Sequence, residues 1–368
     1  MVRLFRGSSP RPIIEYLTTD NEEGVNWVKI GDVPTSGRII TSTEEKITKE
    51  GAKKSRHVYV GDLILSNSMS YGLPYIMGIE GCIHDGWFVL RDYEQNFNKD
   101  YLCNLLISDI VQKQYKKIAA GGVVQNISSD LVNSVYISIP SLDEQRKIAG
   151  LLSLIDERIA TQNKIIEDLK KLKYAIIERE YTFKVQTHSH IGDFIEQNSN
   201  RNKDNIIQNV LSVSNRQGFI RQREQFEDRS IASNDTSNYK IVTRNDFAFN
   251  PARINVGSIA RLTTFEKGIV SPMYICFHTK NSILPEYLSF YFETKQFFSE
   301  IQKRLEGSVR QCLSYEGLCN IPFFPPVIED QRRIGKRLFT LVQKFNLEMT
   351  FLEMLQKQKT YLLRQMFI

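Results

Sequence analysis

The chain repeats itself. Gly121-Gly122-Val123-Val124-Gln125-Asn126-Ile127-Ser128 laid over Gly307-Ser308-Val309-Arg310-Gln311-Cys312-Leu313-Ser314 matches at four of eight positions, with an offset of 186. The same offset carries Tyr101-Leu102 onto Tyr287-Leu288, Pro140 onto Pro326, Gln145-Arg146 onto Gln331-Arg332 and Ile148 onto Ile334. Upstream the match weakens, and Gly61-Asp62-Leu63-Ile64 faces Asn245-Asp246-Phe247-Ala248 at an offset of 184. A repeat period this long implies duplication of a whole folding unit rather than a solenoid of short repeats. The 368 residues therefore read as two copies of one unit, each about 185 residues long.

The second part of each unit is a long helix. Asp143-Glu144-Gln145-Arg146 and Glu329-Asp330-Gln331-Arg332 each follow a proline-ended apolar strand and place acidic side chains in a first helical turn, where the helix dipole favours them. Apolar residues then recur at Ile148, Leu152, Ile155, Ile159, Ile166, Leu169 and Ile176. In the second copy they recur at Ile334, Leu338, Leu341, Phe345, Leu352, Leu355 and Leu362. Steps of three and four make a narrow stripe of coiled-coil type. Polar residues interrupt it at the matched positions Gln162 and Glu348, a device that sets register. Helices of about 39 residues would each run roughly 58 Å. Two matched helices of this length are expected to pair with each other, antiparallel, rather than each lie on its own globule.

The first part of each unit alternates short β-type stretches with Gly, Asn, Ser and Pro clusters. Strands are predicted over residues 57–60, 62–65 and 87–90, and over 239–242, 258–260 and 274–277. A shorter helix is predicted over residues 99–117, with its copy over 285–304. The expected fold class is α+β: two similar α/β globules separated by two long helices packed as an antiparallel coiled coil. The expected boundaries are 1–140 for the first globule, 141–183 for its helix, 184–326 for the second globule and 327–368 for its helix.

Composition narrows the function. With 41% hydrophobic and 24% charged residues the chain has material for more than one core. No apolar run approaches the roughly 18 residues of a membrane span, and no secretory leader opens the sequence, so the expected location is the cytoplasm. Five scattered cysteines without a CxxC pair argue against a disulfide framework or a zinc site. Residues 1–183 hold 23 Lys+Arg against 24 Asp+Glu, whereas residues 184–368 hold 25 against 18. A basic excess confined to one half fits nucleic-acid binding, and it also fits an ordinary solvated surface.

Catalytic signatures are missing. The sequence has no P-loop, no HExxH and no GxSxG, and its histidines show no ligand spacing. Asn250-Pro251-Ala252-Arg253 is similar to the Asn-Pro-Pro-Tyr/Phe loop of adenine-N6 methyltransferases, but lacks the second proline and the aromatic that would stack on a flipped base. His84-Asp85 has no nucleophile or metal partner and reads as a turn, while His188 and His190 fall in an expected linker. No metal, catalytic residue or cofactor is expected in this chain.

The loops instead carry hydrogen-bonding groups suited to nucleic acid. Arg6, Ser8, Ser9 and Arg11 form a small-residue loop bracketed by guanidiniums, which suits a phosphate. Asn67, Ser68 and Tyr71 add amide, hydroxyl and aromatic groups. Gly121 and Gly122 expose backbone beside Gln125 and Asn126, whose amides can pair with adenine. In the second unit the same places hold Arg253 and Asn255, then Arg310 and Gln311, and arginine suits guanine. Arg216, Gln217, Arg221 and Arg223 form a basic segment for phosphate contact. For any single residue a solvated loop explains it as well; recurrence at equivalent places in a duplicated unit raises the set. Two similar heads on a helical spacer would read two half-sites a fixed distance apart. Because Val124 faces Arg310 and Asn126 faces Cys312, the half-sites should differ.

With these residues in view, the chain resembles the specificity subunit of type I restriction–modification systems along essentially its whole length. The strongest marks are the two junctions running from Pro140 to Ile148 and from Pro326 to Ile334, each placed after a Gly-x-Val-x-Gln loop and opening a long helix. The run from Asp246 to Ile259, and Gly268-Ile269-Val270-Ser271-Pro272-Met273-Tyr274, are similar to a recurring target-recognition-domain subtype. The resemblance implies a non-catalytic subunit with two target-recognition domains, each reading half of a split double-stranded DNA site. It implies helices that set the spacing and dock two methylation subunits, which bring S-adenosylmethionine. Restriction subunits would add ATP and magnesium. One departure stands out: the strand at Ile191-Gly192-Asp193-Phe194 has a short or missing counterpart before Arg6, so the first domain either starts late or is completed by the C-terminal end. The competing readings are a stand-alone DNA-modifying enzyme, a coiled-coil assembly protein without sequence-specific DNA binding, and a specificity subunit of a related phage-defence system.

Overall fold

The computed structural model describes residues 2–20, 22–34, 37–67, 72–119, 127–182, 189–215, 217–222, 235–307 and 311–367. The chain divides into two compact units. Unit 1 takes in Met1–Asn163 together with Thr350–Ile368, and unit 2 takes in Lys164–Met349.

Among the described residues unit 1 has ten strands: β1 (Arg3–Arg6), β2 (Leu17–Thr18), β3 (Val25–Val28), β4 (Ile39–Ile40), β5 (Glu45–Ile47), β6 (Arg56–Val58), β7 (Leu63–Ser66), β8 (Pro74–Met77), β9 (Gly81–Ile83) and β10 (Trp87–Arg91). They form two sheets, in the orders β1-β10-β7-β8-β4 and β2-β5-β3-β9-β6. The described residues of unit 2 form eight: β11 (Ile195–Asn198), β12 (Val210–Ser214), β13 (Gly218–Arg221), β14 (Lys240–Thr243), β15 (Phe247–Phe249), β16 (Ile259–Arg261), β17 (Lys267–Val270) and β18 (Ile275–Thr279). Their orders are β11-β18-β15-β16 and β13-β12-β17-β14. Without the edge strands β4 and β2, the two units have one topology. Each contains a parallel pair at the same place, β3 with β9 and β12 with β17, and unit 1 adds a second where β4 joins β8; the other described pairs are antiparallel. The duplication thus extends through the region where sequence identity has faded.

One expectation is corrected: the segment read as a strand at 191–194 is a 3-10 helix over Ile191–Asp193, and the strand follows it at Ile195–Asn198, pairing with β18. The counterpart of that strand in unit 1 is β1, Arg3–Arg6, which pairs antiparallel with β10. Its sequence is only half-buried and lacks a clear alternation, so its pairing becomes evident only beside β10. His190, expected in a linker, forms a bridge with Pro322.

The helices of unit 1 are α1 (Lys49–Lys53), α2 (Lys99–Ile107), α3 (Asp109–Ala119), α4 (Ser129–Asn133) and the start of α5 (Leu142–Glu180). Unit 2 holds the rest of α5, then α6 (Pro285–Tyr291), α7 (Lys295–Gln302), α8 (Tyr315–Cys319) and the start of α9 (Ile328–Met366), whose end returns to unit 1. The helix predicted over 99–117 is broken in two, and so is its copy. The breaks fall at matched residues, Ser108 and Thr294, both buried and extended. Each hydroxyl donates to the carbonyl three residues back, Ser108 to Leu105 at 2.6 Å and Thr294 to Tyr291 at 2.8 Å. This local bond competes with helix continuation, as short hydroxyl side chains do.

The buried stripes follow a heptad pattern along both long helices. Leu152, Ile155 and Ile166 are buried, and Ile148, Ile159 and Leu169 half-buried; Ile334, Leu338 and Leu355 are buried, and Leu341, Phe345 and Leu352 half-buried. Within unit 1 the first turns of α5 lie beside the last turns of α9. Ala149 and Leu152 share a core with Phe367, and the Lys359 ammonium pairs with Asp156. Within unit 2 the last turns of α5 lie beside the first turns of α9, where Ile176, Ile177 and Tyr181 share a core with Ile334 and Leu338. In both places the order of contacts makes the segments antiparallel.

Matched aromatics seal both cores. Tyr181, closing α5, stacks on Tyr287 at 4.6 Å between centroids, and its hydroxyl donates to the Tyr287 carbonyl at 2.7 Å. Phe367, at the equivalent place after α9, lies 5.1 Å from Tyr101. Unit 1 is therefore completed by the C-terminal segment.

The junction motif acquires a purpose. The Gln145 amide donates to the carbonyls of Asn96 (2.9 Å) and Pro140 (3.0 Å), and its oxygen accepts from the Asn98 amide (2.9 Å). Gln331 repeats all three with Ser282 (3.3 Å), Pro326 (2.8 Å) and Leu284 (2.9 Å). Both glutamines are buried. Each closes the backbone of two connecting segments that would otherwise lose their partners, which explains glutamine inside an acidic helix start.

Candidate nucleic-acid interface

In unit 1 the loop after β1, the β9–β10 turn and the residue after β7 converge on Asp85. The Ser9 hydroxyl donates to the Asp85 carboxylate at 2.7 Å, and Arg11 lies 3.6 Å from its other oxygen. Arg6 Nε and the Asn67 amide both donate to the Asp85 carbonyl, at 3.2 and 2.8 Å. The Ser8 hydroxyl reaches the Lys54 carbonyl at 3.1 Å, and Ser55 returns a bond to the Ser8 carbonyl at 2.6 Å. Arg56 Nε donates to the Arg6 carbonyl at 3.3 Å.

Burial works against the Asp85 carboxylate, but the Ser9 hydrogen bond, then His84 and Arg11, hold it below the ordinary aspartate range. Burial pushes His84 below the ordinary imidazole range, with Asp85 opposing. Gly86 N–H donates to His84 Nδ1 at 2.8 Å, which leaves the ring proton on Nε2, facing Asp85 at 3.5 Å. The pair is a structural turn. What it presents outward is cationic, since Arg6, Arg11, Lys54 and Arg56 are all exposed.

One assignment changes. Asn67 is 3% exposed and committed to the Asp85 carbonyl, so it holds the loop and does not reach a base. Gly7 is required by packing: a Cβ there would lie 2.1 Å from the His84 carbonyl oxygen, which leaves no room for any other residue. Ser68, Tyr71, Gly121, Gly122, Gln125 and Asn126 lie outside the described residues.

In unit 2 the corresponding place is the turn after β15. The Asn250 side chain accepts from the Ala252 amide at 3.1 Å, and the Ser258 amide donates back to the Arg253 carbonyl at 3.1 Å. Gly257 closes the turn with φ +89, a left-handed conformation that suits glycine. Asn250-Pro251 is thus a turn former. Arg253 and Asn255 stand exposed on it. The Leu313 amide donates to the Pro251 carbonyl at 3.1 Å, bringing the exposed Gln311 segment alongside; Ile127 makes the equivalent bond to the Asn67 carbonyl at 2.8 Å. Gln217 and Arg221 are exposed at the β12–β13 hairpin, with Arg221 over the Phe265 ring at 5.6 Å. Arg216, Arg223 and Arg310 lie outside the described residues.

On loops at corresponding ends of the same sheet, unit 1 therefore presents exposed cations and unit 2 exposed amides with a guanidinium, each over a hydrogen-bonded base. Such groups can bind phosphates and read base edges. Among the described residues there is no cluster of metal-ligating side chains, and no helix is long and apolar enough to cross a membrane. The sequence did not single out Arg56, Lys54 or the organising role of Asp85. Only the pairing of β6 and β10 with their neighbours puts them beside Arg6.

Comparison with known proteins gives the same resemblance. The model of the type I restriction modification DNA specificity domain matches residues 10–171. That stretch of the chain is similar to the specificity domain. It is also 24% identical to the putative type I restriction enzyme MjaX specificity subunit of Methanocaldococcus jannaschii, over 95% of this chain and 89% of the other. The fold matches a chain from a type I R-M system solved for its complex assembly and conformational transition, with TM-score 0.60, 15% identity and coverage of 98% and 96%. It also matches the type I restriction-modification S subunit from M. genitalium, with TM-score 0.57, 16% identity and coverage of 100% and 94%. The likeness to specificity subunits thus spans both units, with mixed α/β globules and paired long helices.

Proposed function

We propose that the chain is the DNA-recognition subunit of a type I restriction–modification complex. It binds a bipartite, asymmetric double-stranded site with a fixed spacer and directs partner methylation and restriction subunits to it. The observation that carries this reading is the duplicated topology with differing loop ends: the same sheets present Arg6 and Arg11 in one unit, and Arg253, Asn255 and Gln311 in the other. Two like heads with unlike tips suit two unlike half-sites. Globules 1–140 and 184–326 act as the reading heads, with 141–183 and 327–368 as the spacer.

Catalysis belongs to the partners. Two methylation subunits bring S-adenosylmethionine, and restriction subunits bring ATP and magnesium; the working location is the cytoplasm. The outer faces of the helices suit such docking. Leu151, Leu154, Met354 and Tyr361 in unit 1, and Leu172 and Leu347 in unit 2, are exposed apolar side chains.

The test is modification mapping in cells carrying the chain and its methylation partner. Replacing Arg310 and Gln311 by alanine is expected to relax one half of the modified motif and leave the other intact. Inserting four residues in each long helix is expected to lengthen the gap by about one to two base pairs, since four residues add ~6 Å and a base pair rises ~3.4 Å. Equal loss at both halves, or methyl transfer by the purified chain alone, would defeat the reading.

A further inference from the structure

A second basic feature lies in unit 2, away from the loops described above. A cleft of about 620 Å³ opens between the end of β16, the start of α6 and the first turns of α9. Its charged lining is Arg244, Arg261, Arg332, Lys336 and Glu286, and its apolar wall includes Phe339. The volume is that of a small-molecule site.

The charge does not cancel. Arg244 is paired with Glu266, and Arg261 Nη1 lies 2.6 Å from Glu286. Arg332 and Lys336, one helical turn apart on α9, have no ion-pair partner among the described residues, so the cleft keeps two free cations. Arg261, with a side chain 12% exposed, is ion-paired to Glu286, and its Nε has no hydrogen-bond partner among the described residues. A buried donor of this kind favours an acceptor in the cleft.

Unit 1 provides an internal control. By strand register Arg261 takes the place of Ile76: Phe247 pairs with Arg261 as Leu63 pairs with Ile76. By the 186-residue offset, Lys336 and Phe339 take the places of Gly150 and Ser153. The fold therefore needs neither these cations nor this ring. Phe339 is 48% exposed beside the cations, an aromatic face open to stacking.

We infer that this cleft is a binding site for a nucleoside phosphate, with the phosphoryl group on Lys336, Arg332 and Arg261 and the base against Phe339. Guanidinium and ammonium donors at one end and a free ring at the other match a ligand that is anionic at one end and flat at the other. The site is independent of the DNA-reading proposal.

Titration calorimetry of the full chain with AMP, inorganic phosphate and adenosine tests it. AMP is expected to bind one per chain and more tightly than adenosine. The double variant Arg332→Ala, Lys336→Ala should weaken AMP about tenfold or more, the scale of lost charged hydrogen bonds. Phe339→Ala should weaken AMP while leaving phosphate unchanged, and Arg146→Ala, the unit 1 counterpart of Arg332, should change nothing. All are exposed positions, and circular dichroism verifies the fold. AMP binding no tighter than adenosine, or insensitive to the double variant, would overturn the inference. So would an equal loss of site-specific DNA binding in that variant, which would make the cleft part of the DNA surface. Failure of the chain to bind specific DNA, with AMP binding intact, would defeat only the DNA-reading proposal.

Discussion

The two units share what holds a backbone together and differ in what faces outward. Gln145 and Gln331 make the same three bonds, Ser108 and Thr294 break the same helix, and Tyr101 and Tyr287 receive the same returning aromatic. Even Gly61 and Asn245 adopt the same left-handed turn, at φ +91 and +74, ahead of β7 and β15. Asp62 and Asp246 then accept from equivalent amides, those of Tyr59 and Thr243, at 3.0 and 2.8 Å. Against this, the loop ends carry different side chains, and the cleft residues Arg261 and Lys336 face Ile76 and Gly150 in the other copy. Duplication has kept the residues that satisfy buried polar groups, because losing one leaves a backbone donor or acceptor unpaired. It has released those whose partner is solvent.

Truncating the returning aromatics tests this parallel most severely. Tyr181→Ala is expected to destabilise unit 2 by about 4 kcal/mol, from the lost ring and the cavity it leaves. Urea unfolding followed by hydrogen exchange in α6 would measure it. Gln145→Ala and Gln331→Ala come next, each costing about 3 kcal/mol through unpaired backbone groups. The comparison sharpens if the two losses agree within about 1 kcal/mol and each appears as faster exchange only in its own unit. Phe367→Ala should cost less, about 2 kcal/mol, because a segment near the chain end can shift to fill the space. A cost equal to that of Tyr181→Ala would break that distinction.

The smallest effect is a pH dependence confined to unit 1. Burial holds His84 below its ordinary value, so the unfolded chain takes up a proton near pH ~6.5 that the folded chain resists. His84 therefore contributes stability above that pH which is lost as the pH falls below it. The depressed Asp85 adds a loss only at lower pH, below the ordinary aspartate range. The matching turn of unit 2, residues 271–274, has no group titrating near neutrality. Unfolding between pH 7 and pH 5 should destabilise unit 1 more than unit 2, and His84→Gln should remove the difference.

Several of these elements are legible in the chain before any folding. The long helices follow from apolar steps of three and four, and β6, β7, β10, β14, β16 and β18 start within one residue of expectation, whereas β15 is not anticipated. The break at Ser108 is less legible, because residues 99–117 keep a helical spacing through it and a single buried hydroxyl decides the matter. Asn67 resembled a base reader because amides serve both purposes; its burial depends on Asp85, 18 residues away.

The sequence by itself determined that there are two copies of one unit, that each ends in a long helix with a heptad stripe, and that loop chemistry differs between copies. Those properties rest on offset and local periodicity, which need no knowledge of distant contacts. Only the tertiary structure decided that unit 1 is closed by residues 350–368, that Asp85 gathers Arg6, Ser9, Arg11 and Asn67, and that Arg261 meets Glu286 beside Lys336. These groupings join residues far apart in the chain, and strand pairing with helix return, not spacing, brings them together.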